Sequence, residues 1–84
     1  MVLNKNIAIS ESGFIFNPMT GDSFSANPVG RDILQWMREE KSTEEIVLQL
    51  QQKYKVDAAV AEKDLYDFML MLKTYQLIQD DEQA

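Results

Sequence analysis

Histidine and cysteine are both absent from the 84 residues, which removes most side-chain catalysis. No Ser-His-Asp or Cys-His nucleophile can be assembled. Disulfides, thiolate chemistry and the usual zinc ligand sets are excluded too. A hard cation could be held by carboxylates, but no Asp-rich loop of EF-hand spacing is present. Nor is there a Gly-rich phosphate loop or a nucleophile elbow. Only carboxylates, lysines, tyrosines and serine hydroxyls remain. Paired acids such as Glu44-Glu45 read as helix capping and dipole compensation. We therefore expect no catalysis, no metal and no cofactor.

What these residues can do is bind. Glu62, Tyr66, Met69 and Lys73 stand at i, i+4, i+7 and i+11, the spacing of a stripe along one helix flank. Tyr66 and Met69 could floor a groove, with Glu62 and Lys73 selecting charges at its ends. Asp64, Met71 and Tyr75 form the competing flank, and an ordinary solvated flank is the bland alternative. Upstream, Asp22, Ser23, Phe24, Ser25 and Ala26 read as an edge strand. Its unpaired backbone groups can accept an extended peptide as a further strand, and the small Ser23 and Ser25 leave room for it.

The elements that must position these residues are legible in the pattern. Ile7 and Ile9 alternate with Ala8 and Ser10 as a first strand. Glu11-Ser12-Gly13 is a tight turn, and Phe14-Ile15-Phe16 suits a pleated strand. Asn17 to Asp22, with Pro18 and Gly21, makes a second turn before the third strand, Ser23 to Ala26. Helices follow. Asn27-Pro28 is a start signal, and Val29, Ile33, Trp36 and Met37 form one apolar face. Ser42-Thr43-Glu44-Glu45 is a capping box ahead of Ile46, Val47, Leu50 and Tyr54. Asp57 caps a third helix whose core face is Ala61, Leu65, Phe68 and Leu72. The predicted fold is α+β: a three-stranded antiparallel meander followed by three helices, a winged-helix-like order. One domain spans residues 1–78, closed by Leu77-Ile78, with a flexible acidic tail over 79–84.

One run resists a single face. Met69, Leu70, Met71 and Leu72 are consecutive, so their side chains surround the helix axis. Something must meet this helix from a second side, unless some of the four are simply exposed.

The formal net charge of −6 makes nucleic acid and anionic membrane poor partners, although solubility alone is a sufficient reason for it. The N-terminus lacks a secretory pattern, and the longest apolar run, Phe68 to Leu72, is far shorter than a membrane span. A cytoplasmic location is expected.

From Asn27 onward the chain resembles the PqqD family. The matching residues are Asn27, Gly30 and Ile33, then Trp36, Glu45-Ile46, Leu50, Tyr54, Val56 and Val60. Asp64, Leu65, Phe68, Leu72 and Leu77-Ile78 complete the pattern. Gly13-Phe14-Ile15 and Thr20-Gly21-Asp22-Ser23-Phe24 suit the family's opening strands. Two positions depart from it: Gln76 replaces a usual Gly, and the first interhelical turn, often containing Gly, reads Glu39-Glu40-Lys41, which could lengthen the first helix. The resemblance implies a peptide chaperone, or recognition element, for ribosomally made precursor peptides. Such a chaperone binds the leader segment between the third strand and the third helix. It then presents the precursor to a modifying enzyme, often a radical one such as a radical SAM enzyme. The resemblance does not imply that pyrroloquinoline quinone is the product.

Rival readings remain. A winged-helix DNA binder would present Arg, Lys, Asn or Gln to bases, whereas the third helix carries Glu62, Asp64 and Asp67 against Lys63 and Lys73. A phosphopantetheine carrier protein is hinted at by Asp22-Ser23-Phe24, but its serine should open a helix, and here Pro28 sets the helix start later. A plain dimerisation or scaffold module would use the same strand edge for a homodimer or a strand swap.

Overall fold

The structure is a computed structural model that describes residues 2–79. Its elements are β1 (Val2–Leu3), β2 (Ala8–Ile9), β3 (Phe14–Asn17), β4 (Asp22–Ser25), α1 (Pro28–Arg38), α2 (Thr43–Tyr54), α3 (Ala58–Thr74) and β5 (Ile78–Gln79). The expected meander is present in the order β2-β3-β4, with β4 at an edge. Its first strand is shorter than the alternation over residues 7–10 implied. Gly13 and Gly21 both take positive φ, 90° and 80°. Gly13 is doubly constrained, because a Cβ there would lie 2.2 Å from the Arg31 Cγ. The backbone of the first turn thus packs directly on α1.

All three helix starts follow the sequence. Asn27, Ser42 and Asp57 each accept a hydrogen bond from the amide three residues on, relieving an otherwise unpaired donor. The Ser42 box is reciprocal, since the Ser42 amide donates to the Glu45 carboxylate at 2.8 Å. That backbone bond holds the Glu45 carboxyl below its ordinary value.

The core joins Ile15 of the sheet to Ile33 and Leu34 of α1, Ile46 and Leu50 of α2, and Ala61, Leu65 and Leu72 of α3. Phe68, expected in that core, is only half-buried, at its margin, where its ring lies against Gly30 of α1. Leu34, which the periodicity did not single out, is fully inside. The run of four on α3 divides by direction. Leu72 is in the core and Met69 is buried, Met71 is half-buried, and Leu70 is left 50% exposed.

Two features were not expected. β1 and β5 pair antiparallel, with Leu3 opposite Ile78 and Val2 opposite Gln79. This pairing takes Gln79 into a strand; residues 80–84 of the expected tail lie outside the described residues. In addition, α1 is not lengthened. It stops at Arg38, and Glu40 turns to φ 63°. The Lys41 amide donates to the Trp36 carbonyl, and the Glu40 amide to that of Met37, the paired bonds of a Schellman stop. α3 ends in the same way: Leu77 donates to Leu72 and Gln76 to Lys73, with Gln76 at φ 60°. Glycine normally occupies this left-handed position, where a side chain costs about 1–2 kcal/mol. Both departures from the family pattern therefore fall where the backbone most favours glycine.

α1 and α2 are tied by Asp32, which accepts from the Tyr54 hydroxyl and pairs with the Lys53 ammonium at 2.9 Å. Burial opposes ionisation of Asp32, but the Tyr54 and Lys53 hydrogen bonds together outweigh it and hold the carboxyl below its ordinary value. The bond to Asp32 raises the Tyr54 phenol.

Two outcomes are expected in urea unfolding. Glu40→Gly and Gln76→Gly should each stabilise the chain by roughly 0.5–1 kcal/mol, the gain in left-handed geometry exceeding glycine's greater unfolded-state entropy. Tyr54→Phe should destabilise it by about 1 kcal/mol at pH 7. A depressed carboxyl stabilises above its unfolded pKa and loses that contribution as pH falls through its folded pKa. The Tyr54→Phe deficit should therefore shrink below about pH 4.

Candidate functional site

The register of the meander decides which backbone groups of β4 are free. Phe14 lies opposite Ser25, Ile15 opposite Phe24, Phe16 opposite Ser23 and Asn17 opposite Asp22. The Ala26 amide donates to the Gly13 carbonyl at 2.8 Å, and on the other side of β3 the Ser10 amide donates to the Phe14 carbonyl at 2.9 Å. Antiparallel ladders alternate, so Phe24 and Ala26 turn their amides and carbonyls toward β3. Ser23 and Ser25 turn theirs outward, to an edge with no strand beside it among the described residues.

Side chains alternate in step. Ser23 and Ser25 share the outer face of the sheet with Phe14 and Phe16, which are 47% and 39% exposed. Phe24 points inward, and its ring meets that of Tyr75 with centroids 4.5 Å apart. At the other end of the strand, the absent Cβ of Gly30 marks a close approach. It would lie 2.8 Å from Phe68 Cε1 and 3.2 Å from the Ala26 Cβ. The α3 flank beside β4 is therefore the one carrying Phe68, Met71 and Tyr75. From there a groove of about 350 Å³ runs between α1 and α3, lined by Asn27, Val29, Phe68, Met71, Asp64 and Asp67 among others. Asp67 is held in a 2.7 Å pair with Lys63, whose ammonium is raised above its ordinary value by that bond.

The geometry separates the two halves of the site expected from sequence. Asp22 to Ala26 form the open edge. Glu62, Tyr66 and Met69 face α2 instead, lining a different groove with Val47 and Leu48. Tyr66 and Tyr75 stand about two and a half turns apart on α3, and so point to opposite sides. Lys73 is exposed and lines neither groove. The competing flank of Asp64, Met71 and Tyr75 is the one that accompanies the strand. Phe68, assigned to the core by its spacing, joins it. The signal for this was the small pair Ala26 and Gly30, which lets a large ring approach β4. Among the described residues no cluster of acids could hold a metal ion, and no helix is long and apolar enough to cross a membrane.

The geometry is that of a small domain with an open strand edge beside an apolar helix flank. Comparison with known proteins gives its family. The family model described as coenzyme PQQ synthesis protein D matches residues 13–78, and the chain belongs to the PqqD family. Among solved structures, TbiB1 in complex with the TbiA(beta) leader peptide is similar at 29% identity and a TM-score of 0.87, over 94% of this chain and 95% of that one. A lasso peptide synthetase B1 complexed with the leader peptide shares the fold at 18% identity and a TM-score of 0.85, over 93% of this chain and 95% of its own. No curated protein matches.

The register carries its own test. Proline lacks an amide hydrogen and is tolerated where that hydrogen would point off an edge. Ser25→Pro should change unfolding stability by less than about 1 kcal/mol, whereas Phe24→Pro, which removes a ladder bond, should cost about 3 kcal/mol or more. Urea titration of both variants compares them directly.

Proposed function

We propose that this chain is a non-catalytic peptide chaperone that binds the leader of a ribosomally made precursor peptide and presents it to a modifying enzyme. The observation that carries this reading is the outward-facing backbone of Ser23 and Ser25, set beside the Phe68–Met71–Tyr75 flank. Strand addition along Asp22 to Ala26 supplies affinity through main-chain hydrogen bonds, with side chains of the leader choosing among the pockets beside it. Phe68, Met71 and Tyr75 offer apolar contact, and Asp64 favours a cationic neighbour. The two similar structures were both solved with leader peptides bound, which supports a leader peptide as the ligand.

Histidine and cysteine are missing from the whole sequence, so chemistry on the peptide belongs to the enzyme. A radical SAM enzyme is one candidate class for it. A ribosomal product is met where ribosomes release it, which places the encounter in the cytoplasm. The competing use of the edge is pairing with a second copy or a strand swap, for which the exposed Phe14 and Phe16 supply apolar surface.

Peptides captured from the native lysate by the immobilised chain can be identified by mass spectrometry and titrated into isotopically labelled protein. Amide shifts at Ser23 to Ala26 are expected, with Ser25→Pro weakening binding by about tenfold or more. Absence of shifts at that strand would overturn the reading. A dimer that pairs through β4 and ignores peptides would replace it with the scaffold alternative.

A further inference from the structure

The groove between α2 and α3, on the side of α3 turned away from β4, is the larger of the two, at about 560 Å³. Buried Leu65 and Met69 and half-buried Val47 form its base. Leu48 and Tyr66 stand at its walls, 57% and 66% exposed. Such large apolar side chains in water, clustered around a concave surface, mark an interaction site more often than chance exposure does. The charged side chains of the lining are Glu44, in the first turn of α2, and Glu62, in the second turn of α3; no lysine or arginine lines it. Among the described residues neither carboxylate is ion-paired.

These features select an occupant. Nucleic acid would be repelled by the carboxylates. A second copy docked groove to groove would set Glu44 and Glu62 against their own equivalents, and like charges across an interface work against association. A basic segment with apolar anchors satisfies both the oily base and the acidic rim. The groove lies between two helices and suits anchors spaced i, i+3/i+4, i+7, the way an amphipathic helix enters an apolar groove.

We propose that the α2–α3 groove docks a basic amphipathic helix of a partner protein. Tyr66 and Phe68 leave α3 on different sides, so this groove and the β4 edge can be filled at once. One chain could then hold a peptide on one side and a second protein on the other. That the second protein is the modifying enzyme rests on the reading in the preceding section; the chemistry of the groove does not.

The test uses the full chain and two synthetic helical peptides with the same leucine stripe, one with lysine and one with glutamate at the remaining positions. With the lysine peptide, amide shifts are expected at Val47, Leu48, Leu65 and Tyr66 and not at Ser23 to Ala26. The glutamate peptide should bind at least about tenfold more weakly. A Leu48→Ser/Tyr66→Ser chain, altered only at exposed positions, should lose at least about tenfold in affinity for the lysine peptide. Glu44→Gln/Glu62→Gln should flatten the salt dependence of binding. Ser25→Pro should leave the lysine peptide's affinity unchanged, so a failure at the strand edge is seen separately. Shifts elsewhere, equal affinity for both peptides, or undiminished binding to the Leu48/Tyr66 variant would overturn the proposal. So would a concentration-dependent dimer whose shifts map to this groove without any peptide.

Discussion

The arrangement of this small fold depends on how neighbouring elements meet α3. Its apolar residues outnumber what one buried face can cover, so neighbours must meet it from several directions. Leu65 and Leu72 are covered by the core, Met69 by α2, and Met71 and Tyr75 by the region of α1 and β4. The core side is closed, but the α2 side and the α1–β4 side are covered only in part, with Tyr66 and Tyr75 left 66% and 43% exposed. Burying an aliphatic side chain contributes about 1.5–3 kcal/mol, so the half-covered residues hold back stabilisation that a guest can still supply. The grooves are the places where the enclosure of α3 stops short.

Much of this order was readable in the chain. Helix starts were clear because a capping side chain and the amide it serves are three residues apart, a local relation that needs no tertiary knowledge. The meander was clear because its turns need glycine at positive φ and its strands alternate. The β1–β5 pair was invisible: two-residue strands have no period, and their partners lie at opposite ends of the sequence. The possible lengthening of α1 did not occur, because Glu40 takes a left-handed conformation that its residue type disfavours, held there by the Trp36 and Met37 carbonyls.

The candidate site was legible only in part. Spacing identified both flanks of α3 as stripes, but spacing cannot say which neighbour each stripe meets. That depends on the Phe24–Tyr75 ring contact and on the missing side chain of Gly30, both of them long-range. The edge position of the third strand follows from its place at the end of the meander. The outward direction of the Ser23 and Ser25 amides, however, follows from the register with β3 and could have been reversed by a one-residue slip.

The residues that leave room at that margin also leave it undefended. Natural sheets commonly protect a lateral strand with lysine, proline or a bulge so that stray chains do not adhere. The sequence Asp22-Ser23-Phe24-Ser25 has a single acid at its start, and two aromatic rings lie uncovered on the adjoining strand. Stickiness toward a guest and stickiness toward misfolded neighbours have the same chemical origin here. An unfilled β4 edge is therefore the part of this fold most open to unwanted strand pairing.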